Sequence, residues 1–311
     1  MTMVTGLILA AALAGAKPPI EVTAAGPQGA LAGTMIDAGK GKPIVLIIPG
    51  SGPTDRDGNS PLGITAAPYR LLAEALAAKG ISTVRIDKRG MFGSKTAVAD
   101  GNKVTIADYA GDVANWVGTI RKQTGAKCVW VLGHSEGSLV ALAAAQKPAG
   151  VCGIVSMSGA GRKLGDVMRE QFRANPANAP ILEPALKAIA ALEAGRDVSP
   201  ADLPGPLPRV FAPQVQGYYK DLLSYDPAKL AASVKLPLLI VQGETDLQTK
   251  VTDAKALAAA QPKAKLVLVP GVNHVLKVAP LDQAANIATY ADPSLPVAPE
   301  IVDAVATFVK R

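Results

Sequence analysis

The sequence predicts an α/β fold in which a mainly parallel sheet carries helices on both faces. Short apolar runs rich in β-branched residues, such as residues 43–48 and 236–241, fit strands that are buried on both sides. Segments with a helical apolar period lie between these runs, and this alternation indicates parallel strands joined by crossover helices. Polar loops follow the carboxyl ends of the predicted strands, which is where active sites lie in such sheets.

The predicted elements follow one another in a regular order. Residues 20–25 and 30–36 flank the turn-forming sequence at 26–29 and predict an antiparallel hairpin. Thr105 and Asp108 form a capping-box-like start for a helix whose apolar side chains share one face. The other predicted strands are residues 43–48, 81–86, 128–132, 151–157, 236–241 and 265–269, and the other predicted helices of the sheet layers are residues 69–79, 138–146, 252–260 and the segment that begins at Pro299.

Composition excludes several classes of function. The chain has 311 residues, of which 49% are hydrophobic, so it is long enough for one large domain with a full core. The net charge is +7, but the Lys and Arg residues are scattered, and no clustered basic face indicates a nucleic-acid partner. A structural zinc site needs four ligands and would have to use both Cys and both His of the chain, so we do not expect one.

The first residues are typical of a targeting segment. Residues 5–16 form an apolar run that ends in Ala14-Gly15-Ala16, a small-residue cleavage pattern. No Lys or Arg precedes the run, so an N-terminal strand or helix packed on the body is the alternative. We therefore expect a signal peptide at 1–16 and a periplasmic or secreted protein without a stable membrane anchor; a structural role for these residues would instead indicate the cytoplasm.

The most informative stretch is the turn between the predicted strand 128–132 and the helix that follows it. It reads Gly133-His134-Ser135-Glu136-Gly137, the G-x-S-x-G pattern of a nucleophile elbow. Such a turn strains the backbone of the serine and exposes its hydroxyl group above the sheet. Gly133 and Gly137 are expected where a Cβ atom would collide with the neighbouring strand or helix.

A serine nucleophile needs a base, which is nearly always histidine, and a carboxylate that orients it. His134 lies beside Ser135 in the elbow, so its ring should point away from that hydroxyl group. This leaves His274, after the strand 265–269, as the base. Asp246 and Glu244 both follow the strand 236–241, and we favour Asp246 as the orienting carboxylate.

The oxyanion of a tetrahedral intermediate needs two backbone N–H donors. One should be Glu136, the residue after the nucleophile. The other should lie in the glycine-rich loop after the strand 43–48, where Ser51 is our choice and Gly52 is possible. We also expect Gly50, Gly52 and His134 to contact the substrate.

At these residues the sequence resembles bacterial α/β-hydrolase esterases over roughly residues 25–311. Their oxyanion loop reads GSGPTDRDGN and their elbow reads GHSEG, as residues 50–59 and 133–137 do here. The order Ser135, Asp246, His274 is also the α/β-hydrolase order. Further similar stretches are residues 87–90, 243–246 and 273–277. The resemblance implies the α/β-hydrolase fold and a carboxylesterase with a helical cap over the core. Many hydrolases carry His-Gly before the oxyanion donor, whereas this chain has Pro49-Gly50.

Charged residues concentrate near the predicted site. Asp55, Arg56 and Asp57 lie in the oxyanion loop, and Lys88 and Arg89 follow the strand 81–86. They could contact the substrate, but we favour a salt-bridge network that fixes the loop, because small misplacements of catalytic groups are costly.

Residues 162–235 interrupt the alternation of strands and helices. Residues 164–174, 181–194 and 210–225 read as helices, whereas the proline-rich stretch 198–208 should have no regular structure. We interpret 162–235 as a helical cap whose aromatic, apolar underside lines the acyl pocket, inserted into a hydrolase core formed by 17–161 and 236–311.

The two cysteines begin two strands that should be neighbours, at the edge opposite the site. Cys128 and Cys152 could form a disulfide in an oxidising compartment. Adjacent parallel strands seldom offer suitable geometry, so two buried free thiols are the alternative.

Together these patterns predict a serine hydrolase that cleaves small-molecule carboxylic esters through an acyl-enzyme and needs neither a cofactor nor a metal. A thioesterase or a small serine peptidase would use the same triad, because fold and triad do not fix the substrate. A non-catalytic hydrolase-like binding protein would be expected to lack a triad member. The sequence gives no indication of the oligomeric state.

Overall fold

A computed structural model of the protein describes residues 18–311. The predicted signal peptide at 1–16 lies outside the described residues. No helix within 18–311 combines the length and the apolar character needed to cross a membrane.

One eight-stranded sheet forms the centre of the molecule, as the sequence predicts. Its strands are β1 (Ile20–Ala25), β2 (Ala30–Ile36), β3 (Ile44–Ile48), β4 (Ser82–Ile86), β5 (Val129–His134), β6 (Val151–Met157), β7 (Leu238–Gly243) and β8 (Lys265–Val269). They lie in the order β1-β2-β4-β3-β5-β6-β7-β8. β1 and β2 form the predicted hairpin, and β2 is also antiparallel to β4; the other neighbouring strands are parallel.

Helices cover both faces of this sheet. The helices are α1 (Pro68–Ala78), α2 (Ile106–Thr124), α3 (Glu136–Ala144), α4 (Leu164–Ala174), α5 (Leu182–Glu193), α6 (Leu207–Val210), α7 (Pro213–Ser224), α8 (Pro227–Ser233), α9 (Val251–Ala260), α10 (Gln283–Ala288) and α11 (Pro299–Val309). The apolar sides of α2, α3 and α9 share one hydrophobic cluster with the sheet, and those of α1 and α11 share another. The sheet is therefore buried on both faces, which explains why β3, β4 and β5 have no exposed residue.

The chain between β6 and β7 is helical. We call residues 158–237 the β6–β7 segment; it contains α4 to α8. Residues from α5, α6 and α7 pack around Phe211 in a hydrophobic cluster of their own. The expectation that 198–208 lacks regular structure is wrong in part, because Pro200–Asp202 forms a 3₁₀ turn and α6 begins at Leu207. Pro200 and Pro208 are tolerated because both lie in the first turn of their helices, where a missing N–H costs nothing.

Cys128 and Cys152 form a disulfide, with 5.1 Å between their Cα atoms. They lie next to β5 and β6, which pair in parallel as expected. The register of that pair shifts by one residue: Val129 opposes Val151, but Trp130 opposes Gly153. This irregularity leaves Cys152 outside the regular pairing, and so the geometric objection to a disulfide between adjacent parallel strands does not apply here.

Candidate active site

Ser135 occupies a sharp turn between β5 and α3. Its backbone has φ 55° and ψ −121°, a conformation that side chains rarely adopt. The flanking glycines permit this turn. A Cβ atom on Gly133 would lie 1.9 Å from the carbonyl oxygen of Gly137, and one on Gly137 would lie 2.4 Å from that of Ile48. The collisions expected from the sequence are therefore present, and the turn raises the half-buried Ser135 above the carboxyl edge of the sheet.

His274 and Asp246 lie together beside this turn. Nδ1 of His274 is 2.8 Å from Oδ2 of Asp246, and both side chains are buried. The histidine lies on a tight turn after β8, which the N–H of Asn273 closes by donating to the carbonyl of Lys277. Glu244, the other candidate carboxylate, is exposed at the surface.

Asp246 is held as a carboxylate by its neighbours. Burial alone would raise its pKa, but His274 and the backbone N–H groups of Thr249 and Gln248 outweigh burial and lower the pKa to about 2. The two N–H groups donate to Oδ1 at 3.0 and 2.7 Å. Oδ2 faces the histidine and also accepts from Nε2 of Gln242 and Oγ1 of Thr249, both at 3.1 Å. Asp246 is therefore ionised at neutral pH and fixes the orientation of the His274 ring.

The hydroxyl group of Ser135 lies near the His274 ring but is not hydrogen bonded to it. Within residues 18–311, no hydrogen bond joins the hydroxyl group of Ser135 to the His274 ring. The ring of His274 lies 4.7 Å, between centroids, from the ring of His134, the residue next to Ser135. Such contacts are often long without a ligand and shorten when substrate binds.

Two backbone N–H groups lie close to Ser135. Glu136 is the first residue of α3, so its N–H has no acceptor within the helix. On the other side, the chain at Gly50 passes so close that a Cβ atom there would lie 3.2 Å from Cβ of Ser135. Ser51 and Gly52 follow at once, and both line a cavity together with Ser135 and Glu136.

Gly50 and His134, which we expected to contact substrate, are not among the residues that line that cavity. Both are turned into the protein. The N–H of Gly50 donates to the hydroxyl oxygen of Tyr69 at 3.0 Å, and that oxygen lies 2.8 Å from Nδ1 of His134. Nε2 of His134 lies 2.8 Å from the carbonyl oxygen of His274. His134, the residue beside Ser135, thus joins Tyr69 to the backbone of His274 inside the protein.

The charged residues around the oxyanion loop form ion pairs, as we expected from the sequence. Nε and the backbone N–H of Arg56 donate to Asp87 at 3.0 and 2.8 Å. Arg85 pairs with Asp57. Arg89 makes a two-point contact with Asp112 of α2, at 2.7 and 2.6 Å. The loop is therefore tied to β4 by charges that do not line the cavity.

Unlike these charged residues, Lys88 extends to the residues around Ser135. Its ammonium group lies 2.6 Å from the carbonyl oxygen of Gly50 and 2.8 Å from Oε1 of Glu136. Both charged side chains are almost completely buried. Lys88 and Glu136 also line the cavity.

The cavity has a volume of about 750 Å³ and lies between the site and the β6–β7 segment. Its walls are mostly apolar and aromatic, and they come from α3, α4, α6 and α7. Representative lining residues are Leu139, Val167, Met168, Val210, Tyr218 and Leu222. Within residues 18–311, no cluster of three or more His, Cys, Asp or Glu residues is placed to hold a metal ion.

Sequence reasoning missed the parts played by Tyr69 and Lys88. Tyr69 was recognised only as the start of a helix, and its contact with His134 spans 65 residues. For Lys88 there was a signal, because it directly follows a buried strand at the carboxyl edge of the sheet. For its partner Glu136, however, the elbow pattern indicates only a role of the backbone N–H.

Comparisons with known proteins agree with this architecture. A sequence profile described as the alpha/beta hydrolase family matches residues 44–289. Esterase EstD of Thermotoga maritima is 25% identical over 243 residues, which are 75% of this chain and 54% of EstD. The chain thus spans about half the length of this curated relative.

Two solved structures illustrate the likeness in fold. The esterase Pf2001 of Pyrococcus furiosus superposes with a TM-score of 0.59 at 18% identity, and the alignment covers 94% of this chain and 92% of that chain. The alpha/beta hydrolase GrgF of Penicillium sp. sh18 superposes with a TM-score of 0.62 at 19% identity, covering 95% and 99%. At such identities these matches show the fold and not the substrate.

Proposed function

Because the chain belongs to the alpha/beta hydrolase family, we propose that it is a serine esterase that cleaves small-molecule carboxylic esters. The observation that carries the proposal is the buried His274–Asp246 pair, 2.8 Å apart, beside a serine held in a strained turn at the wall of a cavity. The relationship to an esterase of Thermotoga maritima supports the ester as substrate.

In the proposed acylation step, the hydroxyl oxygen of Ser135 bonds to the carbonyl carbon of the ester. Its proton moves to Nε2 of His274, and the carbonyl oxygen becomes an oxyanion. The carboxylate of Asp246 stabilises the resulting imidazolium because it already accepts from Nδ1. The N–H groups of Ser51 and Glu136 then bind the oxyanion, an interaction that strengthens as charge develops.

Collapse of this intermediate breaks the bond to the alcohol. His274 returns its proton to the leaving oxygen, and the acyl group remains on Ser135. In deacylation, a water molecule gives a proton to His274 and attacks the acyl carbon; the acid is released when Ser135 recovers its proton.

The β6–β7 segment would act as the cap of this enzyme. Its helices α4, α6 and α7 supply apolar side chains to the cavity, which opens onto Ser135. A volume of about 750 Å³ is within the range of ligand pockets, roughly 300–1,000 Å³. We propose that the acyl group of the ester lies against this apolar wall.

The test is hydrolysis of p-nitrophenyl esters from acetyl to long acyl chains, measured on the wild type and on Ser135→Ala. We expect hydrolysis by the wild type and a fall in kcat of at least about 10³-fold in the variant. A fluorophosphonate should label the wild type at Ser135 and leave the variant unlabelled. Wild-type protein that cleaves no ester but cleaves a thioester or a peptide would replace the esterase with one of those activities. No cleavage and no labelling would favour a non-catalytic binding protein.

We also propose that the protein works in an oxidising compartment, the periplasm or the exterior of the cell. The Cys128–Cys152 disulfide supports this, because such bonds persist mainly outside the reducing cytosol. Alkylation of protein from fractionated cells, followed by mass spectrometry without reduction, tests the proposal. Labelling of both cysteines in a cytosolic fraction would contradict it.

A further inference from the structure

We propose that Lys88 is a positioning residue for the oxyanion hole: it orients the N–H of Ser51 and fixes its distance from the N–H of Glu136. The inference rests on the proposed function, because it concerns the two N–H groups assigned there to the oxyanion.

The first step is the contact between Lys88 and Gly50. The ammonium group donates to the carbonyl oxygen of Gly50 at 2.6 Å. That carbonyl belongs to the same peptide unit as the N–H of Ser51. In a planar trans peptide, the C=O and N–H bonds point in opposite directions. A carbonyl held by Lys88 therefore aims the N–H of Ser51 away from Lys88.

The second step is the position of this peptide. The backbone of Gly50 passes beside the nucleophile, since a Cβ atom there would lie 3.2 Å from Cβ of Ser135. The N–H of Gly50 is also occupied, because it donates to the hydroxyl oxygen of Tyr69 at 3.0 Å. Lys88 thus holds the carbonyl group of Gly50, and Tyr69 holds the N–H of the same residue. Together they fix the peptide that carries the N–H of Ser51.

The third step is the link to the other donor. The same ammonium group lies 2.8 Å from Oε1 of Glu136, whose own N–H begins α3. One cation therefore joins the loop that carries Ser51 to the residue that carries the second donor. Both side chains are almost completely buried, with 2% and 4% exposure, so water competes little for these contacts.

A lysine suits this position better than a neutral donor. Its charge polarises the peptide between Gly50 and Ser51, which makes the N–H of Ser51 a stronger donor toward an oxyanion. The carboxylate of Glu136 balances the charge, so the buried site as a whole stays close to neutral. The face of Tyr109 lies 5.1 Å from the ammonium group and stabilises it further.

A test must separate this role from simple loss of a buried ion pair. Lys88→Met alone leaves the carboxylate of Glu136 buried without a partner, which destabilises proteins in general. The informative variant is therefore Lys88→Met combined with Glu136→Gln, which removes both charges. The matched control is Arg89→Met combined with Asp112→Asn, because it neutralises a neighbouring ion pair that does not touch the oxyanion loop.

The experiment measures kcat and KM for the p-nitrophenyl ester that the wild type cleaves best. It also measures inhibition by a trifluoromethyl ketone with the same acyl group and by the corresponding methyl ketone. Ser135 adds to the trifluoromethyl ketone and places an oxyanion in the proposed hole, whereas the methyl ketone reports binding to the cavity. We expect kcat to fall about 100-fold in the Lys88/Glu136 double variant, with KM changed less than about threefold.

Affinity for the trifluoromethyl ketone should fall by a similar factor, and affinity for the methyl ketone should change less than about threefold. The Arg89/Asp112 control should keep kcat and both affinities within about threefold of the wild type. A Lys88/Glu136 variant that behaves like this control would overturn the proposal, and so would a lower kcat with unchanged affinity for the trifluoromethyl ketone. Failure of the proposed function is distinguishable, because the wild type would then show no hydrolysis that depends on Ser135, and both proposals would fall.

Discussion

The hydroxyl oxygen of Tyr69 lies 2.8 Å from Nδ1 of His134, and this contact joins the two sides of the site. The carbonyl of His274 can only accept, so Nε2 of His134 carries the proton of that ring. Nδ1 must then accept from Tyr69, which in turn accepts from the N–H of Gly50. A single series of hydrogen bonds therefore connects Gly50 to the backbone of His274.

Tyr69→Phe removes the hydroxyl group at the centre of this series of hydrogen bonds. The N–H of Gly50 and Nδ1 of His134 would both lose their partner, so we expect a loss of about 2 kcal/mol in the free energy of unfolding. We expect kcat to fall about tenfold, because the loop and His274 lose a shared support. Denaturant unfolding and steady-state kinetics measure the two effects. Tyr290→Phe is the matched control, since the hydroxyl group of Tyr290 accepts one long hydrogen bond within residues 18–311, from Nε2 of Gln248 at 3.4 Å. Equal effects in both variants would contradict the prediction.

His134 should make the folded state sensitive to acid. The pKa of His134 is lowered from the ordinary value of 6.5 to about 3, and burial is the largest cause. The nearby His274 ring also lowers this pKa, by more than the hydrogen bond to the His274 carbonyl raises it. The unfolded chain therefore takes up a proton near pH 6.5, whereas the folded chain does so only near pH 3. The stability associated with neutral His134 is complete above pH 6.5 and is lost as the pH falls toward 3.

The variant His134→Gln cannot titrate. The free energy of unfolding of the wild type should fall more steeply with decreasing pH between 6 and 4, by up to about 1.4 kcal/mol per pH unit more than that of the variant. Chemical denaturation at several pH values measures both slopes. Parallel slopes would show that this ring does not control acid stability.

Asp246 and Glu244 can be separated by matched substitutions. Asp246→Asn keeps the size of the side chain but removes the charge that faces His274, so we expect kcat to fall about 10³- to 10⁴-fold. Glu244→Gln alters an exposed side chain and should leave kcat within about twofold. The p-nitrophenyl assay compares the two, and a large loss in the glutamate variant alone would reverse the assignment.

The disulfide should contribute to stability and not to catalysis. Cys128 and Cys152 are 24 residues apart, and a bond that closes such a loop stabilises a protein by about 3 kcal/mol. Cys128→Ala combined with Cys152→Ala should lower the melting temperature while kcat at 25 °C changes less than about twofold. Dithiothreitol should lower the melting temperature of the wild type and not that of the double variant. A melting temperature that is the same in all four samples would exclude the contribution.

The sequence predicted the sheet well because its signals are local. The apolar runs, the turn at 26–29 and the glycines at 133 and 137 each depend on neighbours in the chain, and the structure places all of them as expected. The sequence also predicts that Asp246 and His274 lie together, because each follows a strand at the same edge of the sheet, and the structure places them 2.8 Å apart.

The sequence does not predict contacts between distant parts of the chain. His134 was expected to contact substrate because it lies beside Ser135, yet its ring is turned toward Tyr69 and His274. Nothing in the local pattern around Tyr69 shows which side chain its hydroxyl group will reach. The sequence also leaves undecided whether the disulfide forms, because the bond depends on a one-residue shift between β5 and β6 that no local pattern marks.

The hydrophobic cluster around Phe211 separates part of the β6–β7 segment from the packing of the sheet. Part of the β6–β7 segment packs in a cluster of its own, whereas Leu222, Ala231 and Val234 pack with the sheet. Replacement of the walls contributed by α4, α6 and α7 would therefore change which molecules are admitted without disturbing the reaction chemistry. Under the proposed function, this segment is the part of the chain to exchange when the substrate preference is redesigned.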